Sequence, residues 1–284
     1  MPAPIFTTLM AGIPLEDSFS DIVGKAQRGQ KLDDPALASK AGVAVDELTR
    51  IKSGEVIEPA LRKLAPALNL GAEALVASAR KSWYPKPHEV DGLAQFNTTW
   101  EDMTVNSYLV WAPDTKEAAA FDTGADAGSL LEFGRSKNLR IRYILLTHIH
   151  PDHIADLARL KKETGALAYV SSAEPTAGAE AFEVGKVFKV GGLTIETRQT
   201  SGHARGGITY FVKGLKTPVA VVGDAMFAGS MGGGLVSYPE ALDTNRRNIL
   251  SLPDETVLCP GHGPLTTVGE QKRHNPFFPE FQNK

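Results

Sequence analysis

The segment RYILLTHIHPDH, residues 142–153, constrains the fold more strongly than any other part of the sequence. Its near-continuous apolar run is typical of a strand that is buried on both faces, as in the sheet of a layered α/β protein. Residues 153–163 follow with helical spacing, which places Leu157 and Leu160 on the inner side of a helix. The histidines and aspartates therefore lie at the carboxyl end of a buried strand, where α/β sheets bind ligands.

The chain has two regions that differ in their predicted secondary structure, with a predicted domain boundary near residue 85. Residues 17–80 contain short helical patterns and no strand-like alternation, which predicts a small all-helical domain of four or five helices at 1–85. From 86 to 284, strand and helix patterns alternate, which predicts an α/β layered domain. The strand candidates are 105–112, 117–122, 140–147, 193–200, 208–212, 218–224 and 255–258, and the helix candidates are 126–138, 153–163 and 239–251.

Composition narrows the functional classes. The net charge of −3 over 284 residues gives no general attraction to nucleic acid or to anionic lipid. The chain start has no basic segment and is interrupted by Pro2, Pro4 and Pro14, and no apolar run approaches 18 residues, so we expect a soluble, cytoplasmic protein with no membrane partner. The single cysteine, Cys259, excludes an internal disulfide and a cysteine cluster, so a metal site must use nitrogen and oxygen ligands.

The spacing of the motif predicts two neighbouring metal positions. His148 and His150 are two residues apart, so in extended chain they point the same way and can bind one cation. Asp152 and His153 turn away toward a second position. One loop can therefore supply part of each of two sites.

The remaining ligands are expected at the ends of other strands. The candidates are His203 in TSGHARGG, Asp224 in GDAMF and His262 in PGHGP, each beside a glycine that lets the backbone approach a crowded centre. A single buried histidine is more often a structural residue than a ligand, which is the alternative interpretation for each one alone. Burying all of these ionisable groups without a cation would cost several kcal/mol for each unpaired charge, which favours the metal site.

The sequence THIHPDH resembles the THxHxDH signature of the metallo-β-lactamase superfamily, and the later histidine, aspartate and histidine occur in the order of that superfamily. The resemblance covers residues 86–284 and implies an αββα sandwich with the metals at one edge of two packed sheets. The ligand set it implies is His148, His150 and His203 for the first metal, Asp152, His153 and His262 for the second, and Asp224 as the bridge.

This resemblance implies a dinuclear metal-dependent hydrolase. A bound divalent metal lowers the pKa of water from about 15.7 to about 7, so a metal-bridging hydroxide can attack a carbonyl without a serine or cysteine nucleophile. Asp152 is the predicted catalytic residue, because its carboxylate can orient the water or help to move its proton. Two divalent ions are expected, and zinc is favoured, with iron and manganese as alternatives. A mononuclear iron sulfur dioxygenase is an alternative that would use the same ligands.

The segments GDAMFAGSMGG and GHGPLTTVGEQKRHNPFF resemble the bacterial glyoxalase II, or hydroxyacylglutathione hydrolase, branch of the superfamily, which implies a thioester or related acyl substrate. That branch generally has a basic residue nine positions after the bridging aspartate, where this chain has Gly233, so the thiol carrier is left open. Arg205, Lys272 and Arg273 are the candidates to bind an anionic substrate group, and solvated surface charge is their alternative interpretation.

The sequence PALASKAGVAVDELTRIKSGE, residues 35–55, resembles a helix-turn-helix of the Xre/Cro-repressor type, which makes a metabolite- or metal-sensing DNA-binding regulator an alternative function. Asp46 and Glu47 would stand at the start of the recognition helix, with Arg50 and Lys52 as its cations. Residues 1–85 hold ten basic and ten acidic residues, whereas DNA-binding domains are normally basic. We therefore favour a packing role, or a homodimer formed through these helices.

Overall fold

The computed structural model of the protein describes residues 12–282. Pro2 and Pro4, which entered the prediction about the chain start, lie outside this range. The helices are α1 (Phe19–Gly29), α2 (Asp34–Ala41), α3 (Val45–Lys52), α4 (Glu58–Ala67), α5 (Ala72–Ala79), α6 (Gly128–Ser136), α7 (Pro151–Ile154), α8 (Leu157–Thr164), α9 (Tyr238–Asn248) and α10 (Val268–His274), with a 3-10 helix at Pro279–Phe281. The strands are β1 (Leu93–Trp100), β2 (Met103–Trp111), β3 (Glu117–Phe121), β4 (Arg140–Leu145), β5 (Leu167–Ser171), β6 (Glu180–Phe182), β7 (Val187–Val190), β8 (Leu193–Gln199), β9 (Ile208–Lys213), β10 (Val219–Gly223), β11 (Val257–Pro260) and β12 (Thr266–Thr267).

Two six-stranded sheets form the centre of the fold. The first has the order β1-β2-β3-β4-β5-β6, with parallel pairing from β3 to β6. The second has the order β12-β11-β10-β9-β8-β7, in which β10 and β11 pair in parallel. Because β4, β10 and β11 run parallel to a neighbour, their carboxyl ends lie at one edge of each sheet, which is where the loops with the candidate ligands begin.

The inner faces of both sheets meet in one apolar layer. Phe121 of the first sheet packs on Tyr210 of the second, with ring centroids 5.4 Å apart. Cys259 is buried in the same layer, as a small apolar residue. The outer face of the first sheet is covered by α6 and α8, whose Leu130 and Leu160 share a hydrophobic cluster with Ile144. With helices outside the second sheet as well, the layers run αββα, and the predicted fold class of this region is confirmed.

The N-terminal helices pack on the second sheet. Ile22 and Leu61 from these helices belong to the same buried hydrophobic cluster as Val222 and Leu258 from β10 and β11. The amide of Gly71 also donates to the carbonyl of Pro276, at 2.7 Å, across this contact. The domain boundary near residue 85 stays a prediction, but the shared core favours the packing interpretation of the helices.

The helix-turn-helix prediction gains no support for a DNA-binding role. α2 and α3 are joined by residues 42–44, and Gly42 ends α2 with a left-handed φ of 64°. The two cations of α3 are both paired with carboxylates: Arg50 with Glu55, and Lys52 with Asp34 at 2.7 Å. In these pairs the carboxylates occupy the cations that would contact DNA phosphates. DNA binding stays a prediction, as does a dimer formed through these helices. Among the described residues, no helix has the length and apolar character needed to cross a membrane.

The continuous helix predicted for 153–163 is wrong, because the chain forms α7 and α8 with a turn between them. The turn is fixed by Asp156. Its amide donates to Thr123 Oγ1 at 3.1 Å, and its carboxylate accepts from the amide of Ala127 at 2.9 Å. These contacts to the loop after β3 draw the chain out of helical geometry and leave the short α7 to carry Asp152 and His153.

Glu270 joins the segment before β1 to α10. Its carboxylate accepts from the amide of Lys86 at 2.9 Å, from Thr266 Oγ1 at 2.9 Å and from the amide of Thr267 at 3.0 Å, and it contacts His88 Nε2 at 3.1 Å. Burial alone would raise the pKa of Glu270, but the hydrogen bonds from His88, Lys86 and Thr266 lower it to about 2.

We expect Glu270→Gln to destabilise the fold in a pH-dependent way. A carboxyl whose pKa is lowered on folding contributes stability above its unfolded pKa, and this contribution is lost as the pH falls through the folded value. The variant should lose on the order of 2–3 kcal/mol of unfolding free energy at pH 7, with the difference from wild type shrinking toward pH 3. Urea unfolding at several pH values measures this. Glu255→Gln, at an exposed carboxyl, is the control, and a loss that does not change with pH would contradict the prediction.

Candidate metal centre

The seven predicted side chains converge at one edge of the two sheets. His148 and His150 follow β4, while His203, Asp224 and His262 follow β8, β10 and β11. Their ligand atoms form two groups, in each of which all atoms lie within 4.8 Å of one another: His148, His150, His203 and Asp224 in one, and Asp152, His153 and His262 in the other. Six of the seven residues are buried, and His150 is half-buried.

Asp224 lies between the two groups. Its Oδ1 is 3.2 Å from His153 Nε2, on the second group's side. Its Oδ2 is 3.3 Å from His203 Nε2 and 3.4 Å from His262 Nε2. A carboxylate whose two oxygens together reach imidazoles of both groups is placed to bridge two cations.

Outer hydrogen bonds fix which nitrogen of each imidazole faces the centre. His203 Nδ1 donates to the carbonyl of Gly232 at 2.7 Å, and His262 Nδ1 donates to the carbonyl of Thr104 at 2.6 Å. Since a carbonyl oxygen can only accept, both Nδ1 atoms carry a proton, and Nε2 is the nitrogen that faces inward and is left to bind a cation. This is how proteins usually orient metal-binding histidines.

Asp122 fixes two more imidazoles from the end of β3. It accepts from His153 Nδ1 at 2.9 Å and from Thr147 Oγ1 at 2.7 Å. Because the Thr147 hydroxyl gives its proton to Asp122, its oxygen accepts from His148 Nδ1, at 3.0 Å. Both Nε2 atoms are thus free for a cation. From the sequence, packing or hydrogen bonding around the ligands is the default interpretation of Asp122, with no catalytic role. FDTG has the same signal as the other loops, a coordinating side chain close to a glycine after a strand.

The loop with His262 is held by the first sheet. Tyr108 Oη donates to the carbonyl of Pro260 at 2.6 Å. Asn106 Nδ2 donates to the same carbonyl at 3.0 Å and to that of Gly263 at 2.8 Å. These donors join the two sheets at the edge where the candidate ligands meet. Asn106 is buried inside a strand, and its sequence pattern gives no signal of this role.

The electrostatics of the centre favour positive charge. Burial alone would lower the pKa of His153, but Asp224 and Asp122 raise it to about 10. Burial would likewise lower the pKa of His262, but Asp224 and Asp152 raise it to about 11. For Asp224, burial opposes ionisation, yet His153 and His262 hold its pKa well below the ordinary range. The carboxylates therefore attract cations at neutral pH, either protons or metal ions.

Two buried atoms favour a metal over protons alone. His153 Nε2 and Asp224 Oδ1 lie 3.2 Å apart, but neither has a partner with hydrogen-bond geometry among the described residues, and each such buried polar atom costs about 1–3 kcal/mol. In the other group, His150 Nδ1 lies 3.0 Å from His148 Nε2 and 3.1 Å from His203 Nε2. Nitrogen ligands about 2.0 Å from a tetrahedral zinc stand roughly 3.3 Å apart, close to this spacing. The two groups fit a dinuclear metal site.

The three predicted substrate-binding residues lie in different places. Arg205 is exposed, two residues after His203, and its guanidinium makes no hydrogen bond or ion pair with residues 12–282. Lys272 pairs with Asp254 at 2.6 Å. Asp254 precedes β11, whereas His262 follows it, so Lys272 and its neighbour Arg273 lie toward the opposite end of that strand from the centre. This placement favours the surface-charge interpretation of Lys272 and Arg273, whose substrate role stays a prediction.

Gly233 lies next to the side chain of Lys25, from the N-terminal helices. A Cβ atom added at Gly233 would lie 3.6 Å from Cγ of Lys25, on α1. The basic residue that the glyoxalase II branch has at this position is absent here, but a lysine side chain from the N-terminal helices runs alongside it.

Comparison with known proteins agrees with this geometry. The sequence profile of the metallo-beta-lactamase superfamily matches residues 100–262, more than half of the chain and the whole of the candidate centre. The hydroxyacylglutathione hydrolase GloC of Haemophilus influenzae is 29% identical over 199 residues, covering 61% of this chain and 92% of that protein. A hydroxyacylglutathione hydrolase of Methylobacterium nodulans is 34% identical over 158 residues, covering 54% of this chain and 60% of that protein.

Among solved structures, the BLEG-1 B3 metallo-beta-lactamase superposes with a TM-score of 0.57 at 28% identity, covering 66% of this chain and 99% of that one. Three findings support the same family assignment: the shared fold, the matched profile, and the convergence of the histidines and aspartates at the sheet edge. The chain belongs to the metallo-beta-lactamase superfamily.

Proposed function

We propose that the protein is a dinuclear metal-dependent hydrolase that acts on a thioester or a related acyl substrate. The observation that carries the proposal is Asp224, whose two carboxylate oxygens are directed at imidazoles of two adjacent groups. In this proposal His148, His150 and His203 would hold one ion, Asp152, His153 and His262 would hold the other, and Asp224 would be shared between them. Bound there, divalent ions would supply polarisation of an acyl carbonyl and a water whose pKa is lowered to about 7.

The chain's own residues prepare the centre for this chemistry. Asp122 and the carbonyls of Gly232 and Thr104 hold the imidazoles in the tautomers that present Nε2 inward. With these positions fixed in advance, no free energy is spent on reorganising the ligands when charge develops on the acyl oxygen. The carboxyl groups beside them supply the negative charge that two divalent ions need.

Asp152 is the residue that we propose to move a proton. Its Oδ2 is 3.4 Å from both His153 Nε2 and His262 Nε2, and its side chain is 12% exposed, against none for His153. Burial would raise the pKa of Asp152, but the hydrogen bond with His262 lowers it, so the group is ionised at neutral pH. With Oδ2 facing the two imidazoles as a metal ligand, the other carboxylate oxygen, Oδ1, can accept a proton and return it to the leaving group.

Arg205 is the residue that we propose to recognise an anionic substrate. It is exposed two residues after His203, and a neighbouring loop presents two apolar side chains, Leu235 and Val236, which are 74% and 50% exposed. The amide of Val236 donates to the carbonyl of Gly202 at 3.0 Å, so this loop lies against the one that carries His203 and Arg205. A guanidinium beside apolar groups suits an acyl compound with a carboxylate and an apolar part.

The similar hydroxyacylglutathione hydrolases support a thioester, and imidazole and carboxylate ligands suit zinc, which is the metal that we propose. A sulfur dioxygenase that uses a single iron is the alternative. Metal analysis of protein purified without added metal separates the two, because two zinc ions per chain leave no redox centre.

We expect thioester hydrolysis to be lost on chelation and restored by zinc. The test compares hydrolysis of a thioester with a carboxylate on its thiol, an uncharged thioester, a lactone and a phosphodiester, before and after dialysis against a chelator. Arg205→Gln should raise KM about tenfold for the charged thioester and leave the uncharged one unchanged, since a charge-assisted hydrogen bond is lost. Undiminished hydrolysis after complete chelation would contradict the metal mechanism, and a preference for the phosphodiester would contradict the acyl substrate.

A further inference from the structure

A tight turn after β10 touches three of the candidate ligands. We call residues 227–232 the brace turn. The amide of Gly232 donates to the carbonyl of Asp224 at 3.0 Å, and the carbonyl of Gly232 accepts from His203 Nδ1. At the other end of the turn, the ring of Phe227 meets the ring of His262 edge-on, with centroids 5.6 Å apart. A shift of this turn would therefore move ligands of both groups.

Hydrogen bonds within the brace turn set its shape, whereas its position depends on contacts with other segments. The amides and carbonyls of Phe227 and Ser230 pair with each other at 3.0 and 3.2 Å. On one side, the Asn275 side chain donates to the carbonyl of Ser230 at 2.8 Å, and the amide of Gly229 donates to Gln271 at 3.1 Å. The opposite side needs a second anchor if the turn is to keep its orientation.

The second anchor comes from the N-terminal helices. Lys25 Nζ, on α1, donates to the carbonyl of Met231 at 2.9 Å and to Asp17 Oδ2 at 2.5 Å. Asp17 in turn accepts a hydrogen bond from the Ser230 hydroxyl. The Lys25 ammonium also lies 5.1 Å from the centre of the Phe227 ring, the ring that packs on His262. Asp17 and Lys25 thus hold the turn at a hydroxyl, a carbonyl and an aromatic face.

The burial of this pair distinguishes it from a surface ion pair. The side chains of Lys25 and Asp17 are 17% and 7% exposed, whereas those of Lys52 and Asp34, in the same helical region, are 37% and 36% exposed. Because this pair is largely shielded from water, its hydrogen bonds are not weakened by solvent. The positions of Lys25 and Asp17 therefore determine the positions of Met231 and Ser230. Lys25 also connects α1 to the loop after β10, through the carbonyl of Met231 and the ring of Phe227.

We propose that Asp17 and Lys25 are positioning residues for the metal centre, and that the N-terminal helices act as a brace for it. They touch neither the ions nor the substrate and act through the brace turn on His203, His262 and Asp224. Partners that orient metal ligands from outside typically change metal affinity by about 10–100-fold when they are removed. The proposal rests on the metal centre of the proposed function but not on its substrate.

The test is zinc binding in the absence of substrate, measured by competition with a chromophoric chelator. Lys25→Met should weaken zinc binding about 10–100-fold. Lys25→Arg should bind within about threefold of wild type, because a guanidinium can donate to both Asp17 and the Met231 carbonyl. Ser230→Ala removes only the hydroxyl that links the turn to Asp17, and it should also weaken zinc binding.

Two controls separate positioning from general loosening of the helices. Lys52→Met removes a lysine of the same region that pairs with Asp34 away from the turn, and it should bind zinc as wild type does. Leu48→Ala makes a cavity in the helical core without touching the turn, and it should lower the Tm but leave the zinc Kd unchanged.

Zinc binding by folded Lys25→Met at wild-type affinity would overturn the proposal, as would an equal loss of affinity in Leu48→Ala. If Lys25→Met does not fold, Ser230→Ala decides, since wild-type affinity in that variant overturns the proposal and weaker binding supports it. Absence of zinc binding by the wild-type protein would instead overturn the proposed function, so the two failures are distinguishable.

Discussion

Replacing Asp224 with asparagine is expected to lower kcat/KM for the hydrolysed substrate on the order of 10³-fold or more and to reduce the metal content below two ions per chain. Asparagine has nearly the same shape, so the packing around it persists. Its amide, however, has no charge and only one oxygen, whereas both oxygens of Asp224 face imidazoles. The bridge between the two groups is therefore lost. Elemental analysis and steady-state kinetics on the same preparation measure both effects.

Asp156→Asn is the matched control for this prediction. It removes a carboxylate close to the candidate ligands Asp152 and His153, but Asp156 is not a candidate ligand, and it accepts from the amide of Ala127, which an asparagine oxygen can also do. The control should keep two ions and its activity. Circular dichroism should show that both variants are folded. If Asp224→Asn retained two ions per chain and wild-type hydrolysis, the dinuclear interpretation would be wrong.

The layered fold could be predicted because its signals are local. The apolar run before His148 identifies a strand buried on both faces, and the glycine-rich loops identify the ends of other strands. The turn between α7 and α8 could not be predicted, because it depends on Asp156 meeting Thr123, whose position is set by another strand. Helical spacing alone continues through that turn.

The surface against which the N-terminal helices pack could not be predicted from the sequence, for a related reason. An amphipathic face such as that with Ile22 shows that a helix is buried, but it does not identify what buries it. Here the partner is the outer face of β10 and β11. The short helices and Gly42 also resemble a DNA-binding unit, yet the cations of α3 are occupied by carboxylates.

The candidate centre was predictable to the extent that its chemistry lies in the side chains themselves. The seven histidines and aspartates could be read from composition and spacing, together with a family resemblance. The groups that orient them could not, because they are carbonyls of Gly232 and Thr104, or side chains such as Lys25 that lie far away in sequence. Lys25 and Met231 are 206 residues apart, and nothing local in either segment indicates their contact.

Gly261→Ala is expected to disrupt the metal centre without changing any candidate ligand. A Cβ atom at Gly261 would overlap Asp224 Oδ1 and stand 2.6 Å from His153 Cε1, and neither group can move without losing its position in the centre. We expect the zinc content to fall well below two ions per chain and kcat/KM to fall by about 10²–10³-fold. Zinc titration of the metal-free variant and hydrolysis assays measure this.

Gly192→Ala is the control, because an added Cβ at Gly192 meets no atom within 4 Å, and it should leave zinc binding and activity unchanged. Comparison of the two alanine variants separates two effects. One is the steric overlap of the new Cβ with the centre, and the other is the general effect of replacing a glycine. The loop after β11 can bring His262 close to Asp224 only if the residue before it has no side chain, since the overlapping Cβ would occupy the space of the Asp224 carboxylate. Wild-type zinc content in Gly261→Ala would show that the carboxylate can rearrange, and the close packing inferred for the centre would then be incorrect.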